Sequence, residues 1–183
     1  MHVPSGEERM SPNNIDLEVL AGVLHEGQQD PSTLKLHKRV EGAWNFTPGA
    51  PAFTATMAHG TKSSILNVDV APKFGGAGLA PDPLQYMLLG LGSCYAATVV
   101  TIAALEGVEI TDLHVITESD ADVSRVYDIT ENPLMERASV TLKVTADVDD
   151  DTLKRWQQTA REKCPFVYTI MNAVPLETRI ERA

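Results

Sequence analysis

Cysteine is nearly absent from this chain of 183 residues, which holds only Cys94 and Cys164. Two cysteines are too few for a disulfide scaffold. They stand 70 positions apart, and neither has a histidine beside it, so the spacing is not that of a zinc site. No metal and no cofactor is expected. Positive charge is also scarce: 15 Lys and Arg face 25 Asp and Glu, a formal charge of −10. A phosphate backbone needs a basic partner surface, which excludes nucleic acid, and docking on an anionic membrane is excluded on the same ground. The N-terminus has no basic segment leading into an apolar run, so a secretion signal is not expected and a cytoplasmic location is. There is no internal repeat and no low-complexity tract.

What is present reads as one domain behind an extension. Residues 1–32 are rich in Pro, Gly, Asn and charge, with one helical island that Asn14 is placed to cap. Its apolar residues Ile15, Val19, Leu20, Val23 and Leu24 share a face. The main domain is expected over 33–183. From Leu34 to Phe46 apolar and charged residues alternate, with Lys35, His37, Arg39 and Glu41 on the polar side, which predicts a strand. Phe53 to Met57 and Ile65 to Val70 predict two more, giving an antiparallel meander. Asp82, Pro83 and Gln85 then form a strong helix start, with the cap, the first helical position and the capping partner in order.

From Pro83 to Leu105 there are 23 residues without a charge. The length would satisfy a membrane span. However, no Lys or Arg cluster flanks it, no second span exists, and the strands on both sides need a core. A helix apolar all round is otherwise central and buried on every side, and in a chain this small such burial calls for a second subunit. Beyond it, Leu113 to Thr117 and Val140 to Ala146 alternate as strands around an acidic, solvated loop from Glu118 to Glu136. A helix opening at Asp149 to Asp151 carries Leu153, Trp156 and Ala160 on one face and Arg161 and Lys163 in its last turn, which suits the macrodipole. Cys164-Pro165 opens a short apolar helix, and Leu176, Thr178 and Ile180 predict a closing strand.

Thiols react as thiolates, and helix N-termini and neighbouring cations lower their pKa. On local chemistry Cys164 is the better nucleophile, because it can cap a helix and follows Arg161 and Lys163. Cys94 lies within a helix, where neither dipole end helps. Buried free cysteines are also commonly inert small hydrophobes.

In combination, Gly75-Gly76, Pro81-Asp82-Pro83, Leu89-Gly90-Leu91-Gly92-Ser93-Cys94, the long apolar helix and the later Cys164-Pro165 resemble the OsmC/Ohr family, from about Leu34 to Ile180. The resemblance implies an α+β fold, antiparallel sheets around long central apolar helices in an intertwined homodimer. It implies a thiol-dependent peroxidase acting on organic hydroperoxides or hydrogen peroxide, with an external dithiol as reductant. By position Cys94 matches the peroxidatic cysteine and Cys164 the resolving one, which reverses the ranking from local chemistry.

The departures concern activation. Peroxidase members carry a glutamate near the positions of Leu84 and Gln85, holding an arginine that stabilises the thiolate. Here the turn offers no carboxylate beyond Asp82, and only Arg9 and Arg39 precede Cys94. Arg39 is the candidate thiolate stabiliser and Gln85 the candidate orienting residue; Lys73, His59 and Lys62 are other cations ahead of the helix. Two alternatives stay open: a non-catalytic OsmC-like dimer that binds an apolar small molecule or senses oxidants, and a structural protein with inert thiols.

Overall fold

The computed structural model describes residues 12–182; Arg9 and the rest of the first eleven residues lie outside them, as does Ala183. The chain divides into two compact units, one of Val23–Gly90 and one of the residues up to Gly22 together with those from Leu91 onward.

In the Val23–Gly90 unit, three strands pair in the order β1 (Glu41–Trp44), β2 (Phe53–His59), β3 (Lys62–Val68), all antiparallel. The register aligns Trp44, Phe53 and Val68 across the sheet, and Ala55 with Leu66, so one face is apolar; Glu41, Thr56, Thr54 and Asn67 occupy the other. The first strand is shorter than its alternation predicts. Only Glu41–Trp44 finds a neighbour, opposite Phe53–Thr56, while Leu34 ends a single helical turn at Pro31–Leu34 and Leu36 stays exposed. Alternation marks a strand's faces but does not supply its hydrogen-bonding partner.

The glycine-rich segment after β3 is held by Asp69. Its buried carboxylate accepts from the backbone N–H groups of Leu79 (2.8 Å), Val70 (2.9 Å) and Ala52 (3.3 Å). The Leu79 bond, more than any other, keeps this carboxyl below its ordinary pKa. It therefore favours the fold above the ordinary carboxylate range, and that contribution is lost as pH falls through the lowered value. Gly76 lies in the same segment, and a Cβ there would come within 1.8 Å of the Val70 carbonyl oxygen, so no side chain fits.

Two helices run across the division. Helix α1 (Leu17–Gln29) is capped by Asp16, not Asn14: Asp16 Oδ1 accepts from the N–H groups of Glu18 and Val19, both at 3.0 Å. Asn14 has φ of 58°, outside the extended region an N-cap occupies. Asn13 is used elsewhere, its amide donating to the Val108 carbonyl (2.8 Å) and accepting from the Ile110 N–H (2.7 Å). Helix α2 (Pro83–Leu105) is long and apolar enough to cross a membrane by length and composition. In one chain its burial is partial: Leu91, Gly92, Tyr95, Val99, Ala103 and Ala104 are buried, while Leu89 and Leu105 are exposed.

The larger unit pairs β4 (Ile110–Ala121) with β5 (Met135–Ala146) in an antiparallel ribbon. Much of the acidic stretch belongs to these strands. The remainder is held by Asp122, whose carboxylate accepts from Ser124 N–H (2.9 Å) and Asn132 Nδ2 (2.8 Å); the Ser124 side chain first, then Asn132 and the Ser124 N–H, bring its pKa down to about 2. Helices α3 (Asp150–Lys163) and α4 (Pro165–Met171) follow. The predicted closing strand does not form: among the described residues only β4 and β5 pair in this sheet, and Leu176 and Ile180 are exposed. Each strand of this ribbon keeps an unpaired outer edge, and the segment joins neither.

Candidate functional site

The core of the larger unit is a seam between two helix faces. Tyr95, Val99 and Ala103 recur every four residues on α2, and Trp156, Ala160 and Cys164 do so along and just beyond α3; all six are buried in one cluster. Val140, Leu142 and Val144 of β5 pack against them. The approach of α2 to β4 depends on Gly92, where a Cβ would stand 3.0 Å from Thr117 Cγ2 and 3.2 Å from Val115 Cγ1.

Cys94 precedes Tyr95 by one residue, about 100° around the helix, which sets it at the margin of the seam, half-buried. Cys164 is fully buried, and its backbone is fixed from both sides. Its N–H closes α3 on the Ala160 carbonyl (2.9 Å), and its carbonyl accepts from Tyr168 N–H (2.9 Å) in α4. Pro165 takes the first position of α4, where the missing N–H costs nothing. The expected capping role is met by the Cys164 backbone; its side chain makes no capping bond. Instead Cys164 Sγ lies 3.5 Å from Cys94 Sγ, and both thiols are free.

Burial pushes the Cys94 thiol above its ordinary pKa; a hydrogen bond from the Phe166 backbone N–H works against the rise, and Cys164 adds to it. Among the described residues, no cation acts on this sulfur. Tyr95 is likewise raised by burial, and its hydroxyl donates to the Gln157 carbonyl at 3.1 Å.

The other expected site residues belong to the Val23–Gly90 unit. Gln85 completes a reciprocal capping box: its Oε1 accepts from Asp82 N–H (2.9 Å), and its N–H donates to Asp82 Oδ1 (3.0 Å). Arg39 is ion-paired with Glu41 at 2.6 Å, and both side chains are largely exposed. Lys73 lies over the Phe74 ring, and the His59 imidazole shares a hydrogen bond with the Ser64 hydroxyl. Sequence reasoning did not find the bracing of α3 through Glu106, whose carboxylate receives the Arg155 guanidinium and Trp156 Nε1–H (2.8 Å). The available signal was a lone acid ending a charge-free helix.

Residues 75–179 match the model of a family described as OsmC-like protein. Solved structures agree on the fold. An OsmC-like protein from Mycoplasma pneumoniae superposes with a TM-score of 0.56 at 15% identity, covering 75% of this chain and 89% of its own. An organic hydroperoxide resistance protein from Legionella pneumophila gives 0.52 at 17%, covering 74% and 91%. An OsmC-like protein of unknown function from Vibrio cholerae gives 0.53 at 14%, covering 74% and 94%. No curated protein matched the sequence.

Proposed function

Since the chain belongs to the family of OsmC-like proteins, we propose that it is a thiol-dependent peroxidase of the cytoplasm, working through the Cys94–Cys164 couple. The observation that carries this reading is the 3.5 Å separation of two free thiols on different elements, one of them fully buried. The similarity to a hydroperoxide resistance protein supports it.

The chemistry runs in three steps. The Cys94 thiolate attacks the outer oxygen of ROOH, the O–O bond breaks, and the departing alkoxide takes a proton to leave as alcohol, with Cys94 as sulfenic acid. The Cys164 sulfur then attacks the sulfenic sulfur, and hydroxide leaves as water with the proton Cys164 gives up. From 3.5 Å the sulfurs must close by roughly 1.5 Å to reach bonding distance. An external dithiol reduces the disulfide by exchange and is itself oxidised.

The working form in this proposal is a homodimer, because Leu84, Leu89 and Leu105 of α2 and the apolar C-terminal residues Leu176 and Ile180 are exposed in one chain. Arg39, released from Glu41, is the proposed thiolate stabiliser and Gln85 the orienting residue. The test is stopped-flow consumption of cumene hydroperoxide and hydrogen peroxide by the reduced protein, followed by thiol titration. One peroxide consumed and two thiols lost per chain is the expected result. Reaction no faster than a free thiol would sink the proposal.

A second reading, a non-catalytic OsmC-like dimer that binds an apolar small molecule or senses oxidants, is favoured by one observation: burial raises the Cys94 thiol. A thiol raised in the folded state favours folding below its ordinary value, and that contribution disappears as pH rises through the folded value. If no cation offsets the burial, the peroxide rate climbs about tenfold per pH unit and levels off only above the ordinary thiol pKa of about 8.5. That profile is the one expected of the second reading; a plateau below pH 7 is expected of the peroxidase.

A further inference from the structure

In a chain with this excess of acid, nearly every arginine of the folded body holds a carboxylate. Arg39 is paired with Glu41, Arg125 with Glu131, Arg137 with Asp120, and Arg155 with Glu106. Arg161, in the last turn of α3, has no acidic partner among the described residues, and it lines a cavity of about 370 Å³ in the larger unit. The cavity lies among α2, β5, α3 and α4. Tyr95, Val167 and Met171 contribute apolar surface, and Ser139 and Gln157 are the other polar residues. Its size is at the lower end of the range for small-molecule sites, about 300–1,000 Å³.

The chemistry of this lining is specific. A single guanidinium makes a two-pronged match with a carboxylate. A phosphate ester with two charges would lack a second cation, since no other lysine or arginine lines the cavity. A neutral apolar molecule would fill the walls but leave the exposed guanidinium to water, gaining nothing from it. No acidic side chain lines the cavity to repel an anion, and the hydroxyl of Tyr95 is already committed to Gln157. We infer that this cavity binds a medium-chain aliphatic carboxylate, its head on Arg161 and its chain against Val167 and Met171. Neither cysteine lines it, so the inference is independent of the peroxidase reading.

Calorimetric titration of the reduced full-length protein with octanoate, and separately with 1-octanol, tests this. Saturable octanoate binding in the sub-millimolar range is expected, roughly tenfold weaker in Arg161→Met and intermediate in Arg161→Lys. Octanol should bind the wild type no better than octanoate binds Arg161→Met. Octanoate-induced methyl shifts should saturate at Val167 and Met171. Equal affinity for acid and alcohol, an unchanged Arg161→Met, or shifts spread over exposed apolar residues without saturation would each overturn the assignment. Arg161 is solvent-exposed and unpaired, so its variants should keep the fold; the acid–alcohol comparison decides the question on the wild type alone.

Discussion

Under the proposed function, replacing Cys94 by serine is expected to abolish catalytic peroxide consumption, a fall of at least about a thousandfold, because a hydroxyl stays protonated where a thiol ionises and attacks. Cys164→Ser should give a different outcome. One equivalent of peroxide should be consumed, and the protein should then stall with Cys94 as sulfenic acid, since a serine hydroxyl in place of the neighbouring thiol cannot condense with it. Dimedone labelling followed by mass spectrometry should mark Cys94 in Cys164→Ser and nothing in Cys94→Ser. The pair of variants separates the two roles better than either alone. Continued turnover in Cys94→Ser would reject the assignment, and labelling of neither variant would point to the second reading.

Truncating Trp156 to alanine is expected to have the largest effect on stability. The side chain is 1% exposed at the centre of the seam between α2 and α3. Removing a buried Trp costs about 3–5 kcal/mol through lost burial and the cavity left behind, against a total stability of about 5–15 kcal/mol for a domain. Glu106→Ala should cost less, about 1–3 kcal/mol, by leaving the buried indole N–H without an acceptor. Glu106→Gln restores an acceptor and should recover part of this. Chemical denaturation gives the order, and loss of a single tryptophan contact causing less change than Glu106→Ala would contradict it. The stability effect also reaches the chemistry: Trp156, Ala160 and Cys164 lie along one face, so a shift of α3 carries Cys164 away from Cys94 and slows disulfide closure more than the first attack.

The Glu106 carboxyl is held below its ordinary pKa by the Arg155 guanidinium first and by Trp156 Nε1–H second. Its contribution is present above the ordinary carboxylate range and fades as pH falls through the lowered value.

Much of the site was legible in the sequence. The cysteine motifs, the capped start of α2 at Asp82 and the amphipathic face of α3 depend on local spacing, and each is found where that spacing predicts. Contacts between distant segments left little local trace. Asp69 falls within the strand expected at Ile65 to Val70, where nothing marks it out, yet it lies just past β3 and organises the segment up to Leu79 by accepting amide protons. Asn14 reads as the helix cap, yet its positive φ takes it out of that role and Asp16 fills it, while Asn13, which the sequence did not single out, bonds Val108 and Ile110. The strand expected at Leu34–Phe46 forms only over Glu41–Trp44 and the one at Leu176–Ile180 not at all, although β2 and the β4–β5 ribbon leave edges open; which segment takes an edge is a tertiary property.

The long interval between the two cysteines has a further consequence. A bond joining positions 70 residues apart removes a large share of the unfolded chain's freedom, on the order of 4 kcal/mol by loop-closure entropy. In the proposed cycle, oxidation would do more than record one encounter with peroxide. It would lengthen the life of the molecule against proteases, because degradation draws on transiently opened chains and the cross-linked chain opens less often. Reduction returns it to the faster-decaying pool, so the supply of reductant would govern abundance as well as turnover.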